Sequence, residues 1–139
     1  MGGRALTNGA GAARVLICDD NDALRALLTV IVDTGLGMRV VGEAADGNEA
    51  VAMATQLQPD VILLDLAMPN LSGLEALPEL RRVAPDGQIV VFSGLAGTTV
   101  AEQVLALGAA VYLEKGAHPD TIVATIEQAL VNAPGLHAN

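Results

Sequence analysis

The chain has 139 residues and a mass of 14.1 kDa, one domain's worth of sequence, enough to bury a good core and too little for a catalytic domain with a second folded module. Sixteen acidic residues against seven basic ones give a formal charge of −9, which repels nucleic acid backbones and anionic membrane surfaces, and the basic residues do not cluster. The single cysteine, Cys18, excludes an internal disulfide, and no apolar run approaches the roughly 18 residues of a membrane span, so a soluble, cytoplasmic domain is expected.

Residues 1–13, rich in Gly and Ala without periodicity, read as a tail that cannot offset the entropy of ordering it. A folded domain is expected over residues 14–131, where a short apolar run, a polar turn and a helix-period segment alternate five times. Val15–Cys18 reads as the first strand, and Leu24, Leu27, Leu28 and Ile31 then fall at the i, i+3, i+4, i+7 spacing of one helix face. Arg39–Ala44 precedes a helix over Asn48–Leu57, and Val61–Asp65 precedes one over Gly73–Val83. Ile89–Ser93 leads into a helix over about Thr99–Leu107, and Ala110–Leu113 into one over Pro119–Val131. Residues 132–139 read as a C-terminal tail. Ser72 with Glu75 and Thr99 with Glu102 have capping-box spacing, Pro119 suits a first helical position, and Pro78 is expected to kink the helix it interrupts. Continuously apolar strands separated by helices indicate an α/β fold, a parallel sheet with helices on both faces.

Ligands of open parallel sheets bind beyond the carboxyl ends of the strands. There the sequence places Asp19 and Asp20 after the first strand, Asp65 after the third, Ser93 at the end of the fourth, and Tyr112 with Lys115, the only lysine, along the fifth. Taken singly, most have ordinary explanations: an aspartate caps a helix, a serine sits in a loop, a tyrosine packs in a core. Asp65 is harder to explain that way, because it directly follows the apolar run Val61–Leu64, where an unpaired charge is costly. Clustered hard oxygen ligands suit Mg²⁺, which relieves the repulsion among the carboxylates.

Asp19-Asp20, the stretch Asp65-Leu66-Ala67-Met68-Pro69 with Ser72-Gly73-Leu74-Glu75-Ala76-Leu77, the Ser93-Gly94 pair and Tyr112-Leu113-Glu114-Lys115-Gly116-Ala117 together resemble the receiver (CheY-like) domain of bacterial two-component response regulators. The motifs stand in the family's order and spacing over roughly residues 13–131. The resemblance implies a five-stranded flavodoxin-like sheet with strand order 2-1-3-4-5. It further implies that Asp65 is the phosphoacceptor, modified to 4-aspartylphosphate by the phosphohistidine of a sensor histidine kinase or phosphotransfer protein. Asp19, Asp20, Asp65 and the main-chain carbonyl of Ala67 would hold Mg²⁺, Lys115 would pair with Asp65 and then with a phosphoryl oxygen, and Ser93 and Tyr112 would be the switch hydroxyl and switch aromatic. A face of helix four, strand five and helix five would carry the signal to a downstream protein or to an output domain missing from this chain.

Such a domain accepts a phosphoryl group and at most sheds it again, and is not a turnover enzyme. Lys115-Gly116-Ala117 resembles the NarL/FixJ-type subgroup, whose helix-turn-helix domain does not follow here, so a stand-alone receiver and part of a longer regulator both fit. Gly116 stands where many receivers have a proline after a cis peptide, which leaves the isomer of that bond open. On helix four, Val100, Ala101, Val104, Leu105 and Leu107 wrap wider than one buried stripe needs, which suggests a partner or homodimer contact. Three other readings compete. A receiver that no longer takes phosphate would be a docking domain, and a flavodoxin-like binding module would use Ser93–Thr99 as a phosphate cradle but has few aromatics to stack on a flavin. A haloacid-dehalogenase-like phosphatase would want a second carboxylate where Ala67 stands.

Overall fold

Val15–Cys18, Val61–Leu64 and Ile89–Phe92 are apolar at every position and therefore on both faces, which is tolerable only if helices cover both sides of the sheet. The computed structural model, which describes residues 11–35, 37–94 and 98–133, has that arrangement. Of the expected tails, 1–13 and 132–139, residues 1–10 and 134–139 lie outside the described residues, as does the centre of the glycine-containing stretch, 95–97. Five strands and five helices alternate as β1 (Ala13–Cys18), α1 (Asp22–Thr34), β2 (Met38–Ala44), α2 (Gly47–Leu57), β3 (Val61–Leu64), α3 (Gly73–Val83), β4 (Gln88–Ser93), α4 (Thr98–Ala106), β5 (Val111–Glu114) and α5 (Pro119–Val131). The strands are parallel, in the order β2-β1-β3-β4-β5, as the resemblance implies.

The two-residue period of the strands sorts the core into two halves. Val15, Ile17, Val61, Leu63, Val90 and Phe92 face one way and pack with Leu28, Ile31 and Val32 of α1 and with Ile122, Ile126 and Leu130 of α5. Leu16, Cys18, Ile62, Leu64, Ile89 and Val91 face the other way, against Ala50 and Ala54 of α2, Leu77 and Leu80 of α3 and Val104 of α4. The small side chains on α2 let that helix lie close to α3 and β2.

Local chemistry explains the element ends. At α3 the Ser72 Oγ accepts from the Glu75 N–H (3.1 Å) while the Ser72 N–H donates to Glu75 Oε1 (3.0 Å), the expected capping box. At α5 Pro119 takes the first helical position, and His118 Nδ1 accepts the Asp120 N–H. Two expectations are corrected. The first strand begins at Ala13, not Val15, and Ala12 and Ala13 of the expected tail are buried core residues: the Ala13 N–H donates to the Gly37 carbonyl (2.7 Å) and extends pairing with β2. Thr99 lies inside α4, which starts at Thr98, so it is not that helix's cap. Pro78 lies inside α3 on the exposed side, where a missing backbone donor is cheapest.

Candidate functional site

The carboxyl ends of β1 and β3 are adjacent, and each strand is followed at once by an aspartate. Sheet hydrogen bonding carries one step past each strand: the Asp19 N–H donates to the Ala44 carbonyl (2.9 Å) and the Asp65 N–H to the Cys18 carbonyl (2.9 Å). Both side chains are therefore set by the sheet itself, and both are buried, at 1% and 3% exposure. Asp20 is exposed, and one oxygen from each of Asp19, Asp20 and Asp65 lies within 4.8 Å of the others.

Lys115 enters from beyond β5. Its N–H donates to the Ser93 carbonyl (2.8 Å), and its Nζ lies 3.1 Å from Asp19 Oδ2 and 3.3 Å from Asp65 Oδ2. Ser93 is fully buried at the end of β4, beside Glu114 in the register of β5. Tyr112 is half-buried, its ring packed on the half of the core that holds Val104, and its hydroxyl is buried with no hydrogen-bond partner among the described residues. The Ala67 N–H reaches Asp65 Oδ1 at 3.3 Å. Asp19, Asp20 and Asp65 thus gather at one edge of the sheet, Lys115 reaches Asp19 and Asp65, and Ser93 is tied to them through the Lys115 backbone, while Tyr112 stands within β5.

The electrostatics are those of an acidic, half-neutralised pocket. Burial first, and the charge of Asp19 second, push the Asp65 carboxyl above its ordinary range, against the pull of Lys115 and the Ala67 N–H. Burial alone would lower the Lys115 ammonium, but the two aspartates outweigh it and hold the lysine more firmly charged than usual. Burial, with Asp19 and Glu49 adding to it, drives the Cys18 thiol far up, so Cys18 is a core side chain and not a nucleophile.

The donor set fits a hard divalent cation. Asp19 Oδ1 is taken by the Asn21 N–H (2.8 Å), whereas Asp19 Oδ2 is buried and accepts no hydrogen bond among the described residues, its ion pair with Lys115 aside. An under-satisfied carboxylate oxygen beside two more carboxylates is an oxygen site of the kind Mg²⁺ takes.

Two features were not legible in the sequence as functional. Gly73 is the contact point of α3 with the loop after β3: a Cβ there would collide with the Asp65 carbonyl, and the Gly73 N–H donates to the Leu66 carbonyl (2.9 Å). Its signal was the capping box directly before it, which fixes where α3 must start. Arg25 donates to the Asp19 carbonyl from α1 (2.6 Å); an arginine on the first turn and a half of the helix after the acidic pair was the available clue. The Lys115–Gly116 bond is trans, since no described peptide is cis, and Gly116 has φ +99°, a backbone that proline cannot adopt. Helix α4 is corrected at Val104, which is fully buried; the exposed apolar residues are Leu105 (46%) on the helix and Leu107 (37%) in the turn after it, so the helix stops short of its expected end. No described helix is long and apolar enough to cross a membrane.

Comparison with known proteins agrees with this geometry. The family model described as the response regulator receiver domain matches residues 15–127. The nitrate/nitrite response regulator protein NarL of Escherichia coli is 38% identical over 117 residues, covering 84% of this chain and 54% of that protein. The chemotaxis protein CheY of Thermotoga maritima is 32% identical over 115 residues, 83% of this chain and 95% of that one. A LuxR-family two-component response regulator from an Aurantimonas species superposes with a TM-score of 0.83 at 29% identity, covering 90% of this chain and 92% of that one. The chain spans about half the length of the NarL-type relatives and nearly the whole of CheY. By motif, site geometry and overall likeness, this chain belongs to the response regulator receiver domain family.

Proposed function

We propose that this receiver domain takes a phosphoryl group from the phosphohistidine of a sensor histidine kinase or phosphotransfer protein onto Asp65, in a Mg²⁺-dependent reaction. The observation that carries the reading is the Asp65 carboxylate itself: buried at the end of β3, grouped with Asp19 and Asp20, and 3.3 Å from the only lysine of the chain. A structural aspartate would be fully neutralised in such a place. This one is left with a like charge beside it, as a nucleophile awaiting an electrophile would be.

In the proposed step an Asp65 carboxylate oxygen attacks phosphorus in line, the phosphorus–nitrogen bond breaks, and its electron pair leaves with the imidazole. The product is an acyl phosphate on Asp65. Asp19, Asp20, Asp65 and the main-chain carbonyl of Ala67 would hold Mg²⁺, which supplies positive charge opposite the phosphoryl oxygens. Lys115 changes partner from the Asp65 carboxylate to a phosphoryl oxygen. The Ser93 hydroxyl, at the same sheet edge, takes a hydrogen bond role toward that group. The movement reaches Tyr112, whose packing on the Val104 side of the core couples it to α4. The face of α4, β5 and α5 then changes for a downstream protein or output domain. One acceptor per chain makes this a phosphoacceptor with possible self-dephosphorylation and not a turnover enzyme, working in the cytoplasm.

The test is intact mass after incubation with Mg²⁺ and acetyl phosphate, beside Asp65→Asn and a chelator control. Gain of one phosphoryl group that requires both Asp65 and Mg²⁺ supports the reading. A folded protein that gains none from acetyl phosphate or from histidine kinases would be a docking domain.

A further inference from the structure

Arg25 makes contacts that helix stability does not call for. It lies in the second turn of α1 with only 16% of its side chain exposed, and its three kinds of N–H group go to three different places. Nη1 donates to the main-chain carbonyl of Asp19 (2.6 Å), Nη2 to Asp22 Oδ1 (2.7 Å) and Nε to Glu43 Oε1 on β2 (3.0 Å). An exposed pair within α1 would need only the second of these. The two carboxylates aim the guanidinium and offset its charge, and the remaining donor falls on the peptide that links Asp19 to Asp20.

That peptide is the hinge of the acidic pair. The Asp19 N–H is fixed to β2 through the Ala44 carbonyl, and its Oδ1 is fixed by the Asn21 N–H. The plane of the Asp19–Asp20 peptide is set by what holds its carbonyl, because the bond itself does not rotate. Asp20 is exposed and makes no hydrogen bond among the described residues, so the place of its carboxylate depends on the peptide that carries it. We propose that Arg25 is a positioning residue: by clamping the Asp19 carbonyl from α1 and β2 it presets the Asp19 and Asp20 carboxylates for a divalent cation. The inference rests on the Mg²⁺-dependent reading above.

A planar fork with separate donors can make these bonds together, and an ammonium on a flexible stem cannot. Partners that orient metal ligands typically contribute about 10- to 100-fold in metal affinity. The test titrates Mg²⁺ into the metal-free chain and its Arg25→Ala and Arg25→Lys variants, following backbone amide shifts by NMR, with thermal unfolding measured without metal. Arg25→Ala is expected to weaken Mg²⁺ binding by about 10-fold or more while the metal-free chain stays folded, and Arg25→Lys to restore little of it. In phosphorylation by acetyl phosphate the half-saturating Mg²⁺ concentration should rise by the same factor, with the rate recovered at saturating Mg²⁺. A merely structural arginine would lower the melting temperature and leave the affinity of the folded fraction unchanged.

Unchanged Mg²⁺ affinity in folded Arg25→Ala overturns the proposal, as does full restoration by Arg25→Lys, which would show that charge alone is at work. If Arg25→Ala does not fold, Arg25→Lys alone decides: weakened binding supports the fork, unchanged binding overturns it. An unaltered chain that binds no Mg²⁺ removes the proposed function and this inference together, whereas Mg²⁺ binding that is indifferent to Arg25 removes only the latter.

Discussion

Lys115 and Asp65 follow strands that are not neighbours: β4 lies between β5 and β3, and the lysine spans it to bring its ammonium 3.3 Å from Asp65 Oδ2. The reach is made possible by the Lys115 N–H, which pins the residue to the Ser93 carbonyl at the end of β4. The ammonium pairs with Asp19 and Asp65, and with Asp20 grouped beside them three carboxylates share one lysine, which leaves the cluster short of positive charge by two. A divalent cation would make up that deficit.

The same deficit has a stability cost. Burial first and Asp19 second hold the Asp65 carboxyl above its ordinary range, so the folded chain binds that proton more tightly than the unfolded chain does. The favourable contribution of a raised carboxyl is complete below the unfolded value and is lost as pH rises through the folded one, so at neutral pH ionised Asp65 works against folding. Asp65→Asn, which cannot ionise, is expected to stabilise the metal-free chain by about 0.5–2 kcal/mol at neutral pH. The gain should shrink as pH falls toward the unfolded aspartate value of about 3.9. Urea denaturation at neutral pH and near that value reads both effects; an equal gain at the two would exclude ionisation as the cause.

Gly73 sits against the backbone of Asp65, the proposed phosphoacceptor. A Cβ at that position would meet the Asp65 carbonyl and the Leu66 Cα, both main-chain atoms that cannot move without the strand end. Gly73→Ala is therefore expected to cost about 1–3 kcal/mol by overpacking. It should also slow phosphorylation of the folded fraction, because relief of the clash displaces Asp65. Denaturation together with phosphorylation by acetyl phosphate checks the pair of effects, and a loss of stability with an unchanged rate would place the strain elsewhere.

The sequence carried the placement of Asp19, Asp20, Asp65, Ser93 and Lys115 because each follows or ends an apolar run, and strand ends of a parallel sheet share one edge. It did not carry the crossing of α1 over β2, which brings Arg25 between Asp22 and Glu43; those residues are 18 positions apart at the Arg25–Glu43 pair, and nothing local links them. The start of the sheet at Ala13 escaped for a similar reason. Its burial comes from pairing with the residues before β2, while its own neighbours are small and unpatterned. On α4 the pattern of Val100, Ala101, Val104, Leu105 and Leu107 was visible, but which of them faces the sheet depends on how the helix is rotated about its axis.

That rotation makes a sharp contrast between two adjacent residues. Val104 is fully buried against α3 and the sheet, and Leu105 is 46% exposed. Val104→Asp is expected to destabilise by about 3 kcal/mol or more, since it buries an unpaired charge among apolar side chains. Leu105→Glu should stay within about 0.5 kcal/mol of the unaltered chain. Chemical denaturation of the two variants tests the rotation, and similar effects from both would mean that α4 is turned differently on the sheet.

Gly116 follows the lysine on which the site depends. Its φ of +99° lies where residues with a side chain are strained, yet a Cβ there would meet nothing within 4 Å. Backbone conformation and packing are therefore separable at this position. Gly116→Ala is expected to cost about 1–3 kcal/mol through conformation alone, or to relax by rotating the segment after β5. Relaxation would move Lys115 away from Asp65 and Asp19, so it should appear as slower phosphorylation with little loss of stability, whereas a rigid segment should show the stability loss with a near-normal rate. Denaturation and phosphorylation measured on the same sample separate the two, and a variant normal in both would show that this glycine is required by neither.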